Sequence, residues 1–266
     1  MNTALSILGL LVCASGSFWV WLLARRMAGE PVLAMRPRRD GVWSPFATVI
    51  ALAWVGLQVA GQVYASTQGD SDAPSPDSIR GVFLVSMGVF AFLLASLTLP
   101  SQGSFGDFGI GLSEDLGDGA VALVGFIAAL APTYLLIYLT TDFRSEESQH
   151  EFLKALGDSP TPSTVMWIVL AALVSAPLVE ELLFRVVFQR ALLQLVSPGV
   201  AIVTTAVLFC ALHGWPDSLP LLPLALILGY IYHRRNSYFS VVVLHACFNT
   251  LNLLLALTAR DFVPTD

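Results

Sequence analysis

The sequence predicts an all-α fold: a polytopic transmembrane helical bundle of about eight spans around a polar intramembrane cavity. Three observations carry that expectation. Of 266 residues, 56% are hydrophobic and only 12% are charged, whereas soluble domains carry roughly 25% charged residues. The mean hydropathy is +0.74. Apolar runs of spanning length recur along the chain between short polar connectors. The formal net charge of -6 does not argue for a soluble acidic protein, because most acidic residues fall in the connectors at 66–79, 101–118 and 142–160. No basic stripe invites nucleic acid, so membrane lipid is the expected surrounding partner.

The first run, 4–24, lacks a basic n-region and a small-residue cleavage site and ends in Arg25-Arg26, so it reads as a retained signal anchor. The runs at 43–65, 80–100 and 119–141 each hold about 20 apolar residues, enough to cross a bilayer. The fifth, 164–187, is equally long but contains Pro177, Glu180 and Glu181. The sixth and seventh, 199–214 and 217–232, are short and divided by Gly214-Trp215-Pro216-Asp217, which leaves open whether one is re-entrant or strongly tilted. The eighth is 238–258. Between the fourth and fifth, Phe152, Leu153 and Leu156 stand at helical spacing, fitting a short interfacial helix or, equally, a solvated linker. No repeat or low-complexity tract divides the chain, so 1–266 reads as a single membrane domain with 164–258 as its polar core. Cys13, Cys210 and Cys247 sit in apolar runs at no metal-ligand spacing, and no disulfide framework is expected.

Orientation follows from arginine placement, since cytoplasmic loops carry excess Lys and Arg. The 25–42 loop holds Arg25, Arg26, Arg36, Arg38 and Arg39, and the next connector holds none. With eight spans, Arg190 and the His233-Arg234-Arg235 turn fall on the same, cytoplasmic side. The 101–118 connector falls there too, yet it is purely acidic. The expected location is the cell inner membrane, as an integral multi-pass protein.

Against this apolar background a few polar side chains stand out. A charge near the bilayer centre costs at least about 2.5 to 3.5 kcal/mol on insertion scales, so adjacent Glu180 and Glu181 demand a neutralising partner or a use. Glu181 and Arg185 are four residues apart and share a helix face, which predicts an ion pair. Glu180, rotated by about 100°, points elsewhere with no local cation. Pro177 predicts a kinked or locally opened helix beside the carboxylates. Phe209 and His213 are four apart, as are His245 and Asn249. Taken singly, these side chains fit snorkelling charges, a structural histidine and interhelical hydrogen-bond glue. Taken together, they supply the parts for hydrolysis of an amide by water. Glu180 and His213 would take a proton from water and return it to the leaving amine, while His245 and Asn249 would donate to the oxyanion.

Glu180-Glu181-x-x-x-Arg185, Phe209-x-x-x-His213 and His245-x-x-x-Asn249, in that order, resemble the CPBP intramembrane proteases, which include type II CAAX-prenyl endopeptidases and Abi or bacteriocin-immunity relatives. The resemblance spans roughly 164–258. It implies that Glu180 is the catalytic glutamate, His213 its partner, His245 and Asn249 the oxyanion pair, and Glu181, Arg185 and Phe209 supporting positions. It implies no cofactor, and a membrane-associated peptide or lipidated-protein substrate of CAAX type. Three other readings stay open. Glu180, His213 and His245 would make a two-His, one-carboxylate zinc set for a metalloprotease; the intramembrane Glu and His residues would serve a proton-coupled transporter; or the chain is a noncatalytic scaffold or immunity factor.

Overall fold

The structure is a computed structural model that describes residues 3–37, 41–68, 74–98, 103–111, 117–143, 155–156, 161–214 and 216–260. It is all-helical, with eight helices in the order expected: α1 (Thr3–Met27), α2 (Pro45–Gln68), α3 (Pro76–Thr98), α4 (Gly117–Leu139), α5 (Pro162–Leu192), α6 (Pro198–Ala211), α7 (Ser218–Arg235) and α8 (Tyr238–Arg260). Among the described residues six of them, α1 to α5 and α8, are long and apolar enough to cross a membrane. The chain is an integral multi-pass membrane protein. Helix α6 has 14 residues and reaches about 21 Å at 1.5 Å per residue, short of a bilayer core of about 30 Å. It forms a hairpin with α7.

Helix starts depart from the ends of the apolar runs, α2 beginning later (45 against 43) and α3 and α5 earlier (76 against 80, 162 against 164), and the reason is local chemistry. Ser44-Pro45, Ser75-Pro76 and Thr161-Pro162 each place a hydroxyl before a proline. Ser44 Oγ accepts from Ala47 N–H, Ser75 Oγ from Ser78 N–H and Thr161 Oγ1 from Thr164 N–H. The hydroxyl satisfies a free first-turn donor, and the proline occupies a position whose N–H would be unused. Ser197-Pro198 opens α6 in the same way without the side-chain bond.

Helix α4 is the pillar of one half of the bundle, packing on α1, α7 and α8, while α5 packs on α2, α3, α6 and α8. Half of α5 is buried against 6% of α1, so the helix bearing the glutamates is the most enclosed span. Gly125 makes one of these approaches possible: a Cβ there would lie 2.5 Å from both Ile231 and Leu244. All three cysteines are free. Of the predicted interfacial stretch, Leu156 is buried against Ile79, Ile168 and Ala171, and Phe152 and Leu153 lie outside the described residues.

The arginine-rich end is built from the segments that were assigned to one side. Asp118, 1% exposed, pairs with Arg36 at 2.7 Å and with Arg235 at 3.0 Å. The acidic 101–118 connector therefore contributes a buried counter-ion to the basic loops. Arg190 is also buried: it donates to Tyr232 Oη at 2.8 Å, and to three loops through Val42 O at 3.2 Å, Asp107 O at 2.5 Å and Asn236 Oδ1. Its charge gathers three loops instead of marking a solvent-facing boundary, which changes the meaning given to it as a side marker. Gly109 (φ +72°) closes this end, since a Cβ there would meet Asn236 O at 2.2 Å. Arg38 and Arg39 lie outside the described residues.

Candidate active site

The two glutamates sit on a short α-helical stretch, Ala176–Glu181, bracketed by π-helical segments Ala171–Ser175 and Leu182–Gln189. Such wide turns are rare and concentrate at functional sites. The helix is locally opened beside Pro177, as the π-helical segment Ala171–Ser175 ends just before it. In this register Ala176 N–H donates to Ala171 O, so the next carbonyl, Ala172 O, would look to residue 177 for its donor. Residue 177 is proline and has none. Asn249 Nδ2 from α8 donates to Ala172 O instead, at 2.8 Å. The backbone defect thereby fixes the Asn249 carboxamide, which retains a second N–H.

Glu181 and Arg185 pair at 3.0 Å, both with 0% side-chain exposure. Glu181 has a second partner that the spacing did not reveal: its Oε1 meets His245 Nδ1 at 2.8 Å. Glu181 thus ties α5 to α8 and orients an imidazole, a larger task than holding its own helix. Glu180 turns the other way. Its Oε2 faces His213 Nε2 at 3.7 Å and His245 Nε2 at 3.9 Å, with 27% of its side chain exposed.

His213 lies in the turn after α6, where its Nδ1 meets Phe209 O at 2.8 Å. A carbonyl only accepts, so Nδ1 carries the proton and Nε2 of the neutral ring is a base aimed at Glu180. Phe209, fully buried, is the floor beneath both histidines. Its ring lies 4.5 Å from that of His213 and 5.8 Å from that of His245, and the Arg185 guanidinium carbon is 5.3 Å from its centroid.

Glu180, His213, His245 and Asn249 all line a cavity of about 340 Å³. The wall also holds Asn252, which sequence reasoning missed. It accepts from Tyr134 Oη at 3.1 Å and donates to Phe248 O at 2.9 Å. The signal was present: 245, 249 and 252 follow the i, i+4, i+7 rule of a single helix face.

Zinc bonds of about 2.0–2.1 Å place tetrahedral ligand atoms about 3.3 Å apart, and the two imidazole nitrogens stand 3.7 and 3.9 Å from Glu180 Oε2. Among the described residues no set of three His, Cys, Asp or Glu side chains meets the geometry of a metal site. The arrangement fits zinc poorly as it stands.

No curated protein and no solved structure matches the chain. Residues 162–251, the segment from the start of α5 into α8, match the family described as Type II CAAX prenyl endopeptidase Rce1-like. That segment contains every side chain that converges on Glu180, and its match agrees with the resemblance to the CPBP intramembrane proteases carried by the three motifs.

Proposed function

We propose that this protein is an intramembrane endopeptidase that hydrolyses a peptide bond of a membrane-associated, CAAX-like substrate without a metal. The observation that carries the reading is the approach of two imidazole Nε2 atoms to Glu180 Oε2 within one cavity. Separations of 3.7 and 3.9 Å are too long for direct hydrogen bonds. A water held by both Glu180 and His213 needs the two groups to part to about 4.4 Å, so the reading includes a small opening of the pair when water enters. A water between Glu180 and His213 donates one proton to each, which leaves its lone pair free to attack a carbonyl carbon.

As the C–O bond forms, the carbonyl oxygen becomes an oxyanion. Asn249 donates to it through its second N–H, and His245 through Nε2–H. For that, His245 carries both protons, Nδ1–H being held by Glu181. Two carboxylates, one guanidinium and one imidazolium then sum to zero charge, a balance that suits a site shielded from water. The proton taken by Glu180 passes to the amide nitrogen, the C–N bond breaks, and a carboxylate and an amine leave. The expected setting is the cell inner membrane.

The test is cleavage of a C-terminal CAAX-type peptide by the purified protein, with and without a prenyl group, beside Glu180→Gln. Glu180→Gln should lose at least about 10²-fold in kcat. Equal turnover by the variant would refute the mechanism. Exhaustive chelation should leave activity intact; loss on chelation, with recovery on adding zinc, would put the metalloprotease in its place.

A further inference from the structure

We propose that the groove between α1, α4 and α7 is a binding site for an anionic phospholipid of the surrounding bilayer. This cavity, about 970 Å³, shares no lining residue with the catalytic cavity. Two matched helix columns form its sides. Phe18, Leu22 and Arg26 follow the i, i+4, i+8 rule on α1, and Leu226, Tyr230 and Arg234 follow it on α7; Val124 and Ala128 of α4 form the floor. Both columns run from apolar side chains to an arginine at the same end of the bundle. That gradient has the polarity of a lipid, with acyl chain along the apolar length and phosphate at the guanidinium groups. Basic pockets between membrane helices bind anionic head groups by this chemistry.

Charge accounting at this end singles out the same two residues. Arg25 pairs with Glu30 at 2.7 Å, and Arg36 and Arg235 share Asp118. Arg234 donates through Nε to Leu33 O at 2.8 Å and through Nη2 to the same carbonyl, contacts that position the guanidinium without neutralising it. Among the described residues neither Arg26 nor Arg234 has a carboxylate partner. Arg190 at this end also has no carboxylate partner among the described residues, but it is buried and its N–H groups go to Tyr232 Oη, Val42 O and Asn236 Oδ1. The uncompensated cations that reach the surface, Arg26 and Arg234, are the two that line the groove. The neighbouring face of α1 exposes Val20 and Leu23, so the groove opens where lipid is the available ligand.

The experiment uses the full-length protein in detergent, with phosphatidylglycerol or phosphatidylcholine added, read by native mass spectrometry and by the unfolding temperature. Phosphatidylglycerol should bind preferentially and raise the unfolding temperature. Arg26→Gln should weaken its binding about fivefold, near 1 kcal/mol per arginine, and Val124→Trp, which fills the groove, should weaken it further. Arg25→Gln, which removes a cation already paired, should leave binding unchanged. Equal binding of both lipids, no effect of Arg26→Gln, or equal effects of Arg25→Gln and Arg26→Gln would each overturn the proposal. So would Val124→Trp altering the oligomeric state while lipid binding is retained.

Discussion

Two adjacent carboxylates with opposite burdens allow a sharp test: Glu180→Gln should remove the chemistry and spare the fold, while Glu181→Gln should destabilise the fold. Glu181 is fully buried and has two partners, Arg185 at 3.0 Å and His245 at 2.8 Å. Neutralising it strands the Arg185 guanidinium, of which Nη1 and Nη2 already have no hydrogen-bond partner among the described residues. Removing one member of a buried ion pair costs about 3–5 kcal/mol. At about 2–4 °C per kcal/mol for a chain of this size, the unfolding temperature should fall by about 6–20 °C. The Glu180 side chain is 27% exposed, and its buried Oε2 has no hydrogen-bond partner among the described residues to lose, so its amide should change stability by less than about 1 kcal/mol. The assay pairs tryptophan-fluorescence unfolding in detergent with peptide cleavage by the folded fraction. A Glu181→Gln protein as stable as wild type, or a Glu180→Gln protein that unfolds with it, would refute the division of labour.

Asn249→Ala should lose about 10²- to 10³-fold in kcat if the carboxamide serves the oxyanion, and about 1–3 kcal/mol of stability from the carbonyl left at Ala172; the two readouts are kcat and the unfolding temperature. Pro177→Ala restores an N–H where Ala172 O lacks a donor. It should make the stability cost of Asn249→Ala smaller than in the wild-type background, and additive costs in that double-mutant cycle would remove the explanation for the contact. Asp118→Asn uncouples Arg36 and Arg235 from a carboxylate that is 1% exposed, and should destabilise by about 3 kcal/mol, measured by thermal unfolding, with kcat of the folded fraction unchanged.

Much of this was legible because membranes make polarity conspicuous. The eight helices could be placed from apolar length alone, and Glu181 with Arg185, or His245 with Asn249, from the helical repeat. What escaped notice depended on relations between helices. His245 bonding to Glu181 joins residues 64 positions apart, and no periodicity within one segment encodes it. Asp118 looked anomalous on the basic side until the structure showed the arginines folded onto it. Helix starts were misplaced because hydropathy ignores the capping hydroxyl and the proline behind it. Asn252 was missed for a different reason: the i, i+4 pair was read, and the face was not followed one turn further.

Prolines within spans link these observations. A bilayer has no water to satisfy a carbonyl whose donor proline has removed, so another group must do so. Pro132 in α4 leaves Ala128 O without its usual donor, and α1 answers with Trp19 Nε1 at 2.8 Å and Ser15 Oγ at 3.3 Å. Pro177 in α5 leaves Ala172 O without one, and α8 answers with Asn249. In the first case the repair docks a peripheral helix. In the second it anchors a side chain of the cavity that also holds Glu180 and His213. Asn249 is then under two constraints at once, because any side chain that fails to reach Ala172 leaves a buried carbonyl unmet whether or not the enzyme turns over. Pro177, which never touches the reacting atoms in the proposed mechanism, is a positioning residue: by removing one hydrogen from α5 it determines where a carboxamide on α8 must stand.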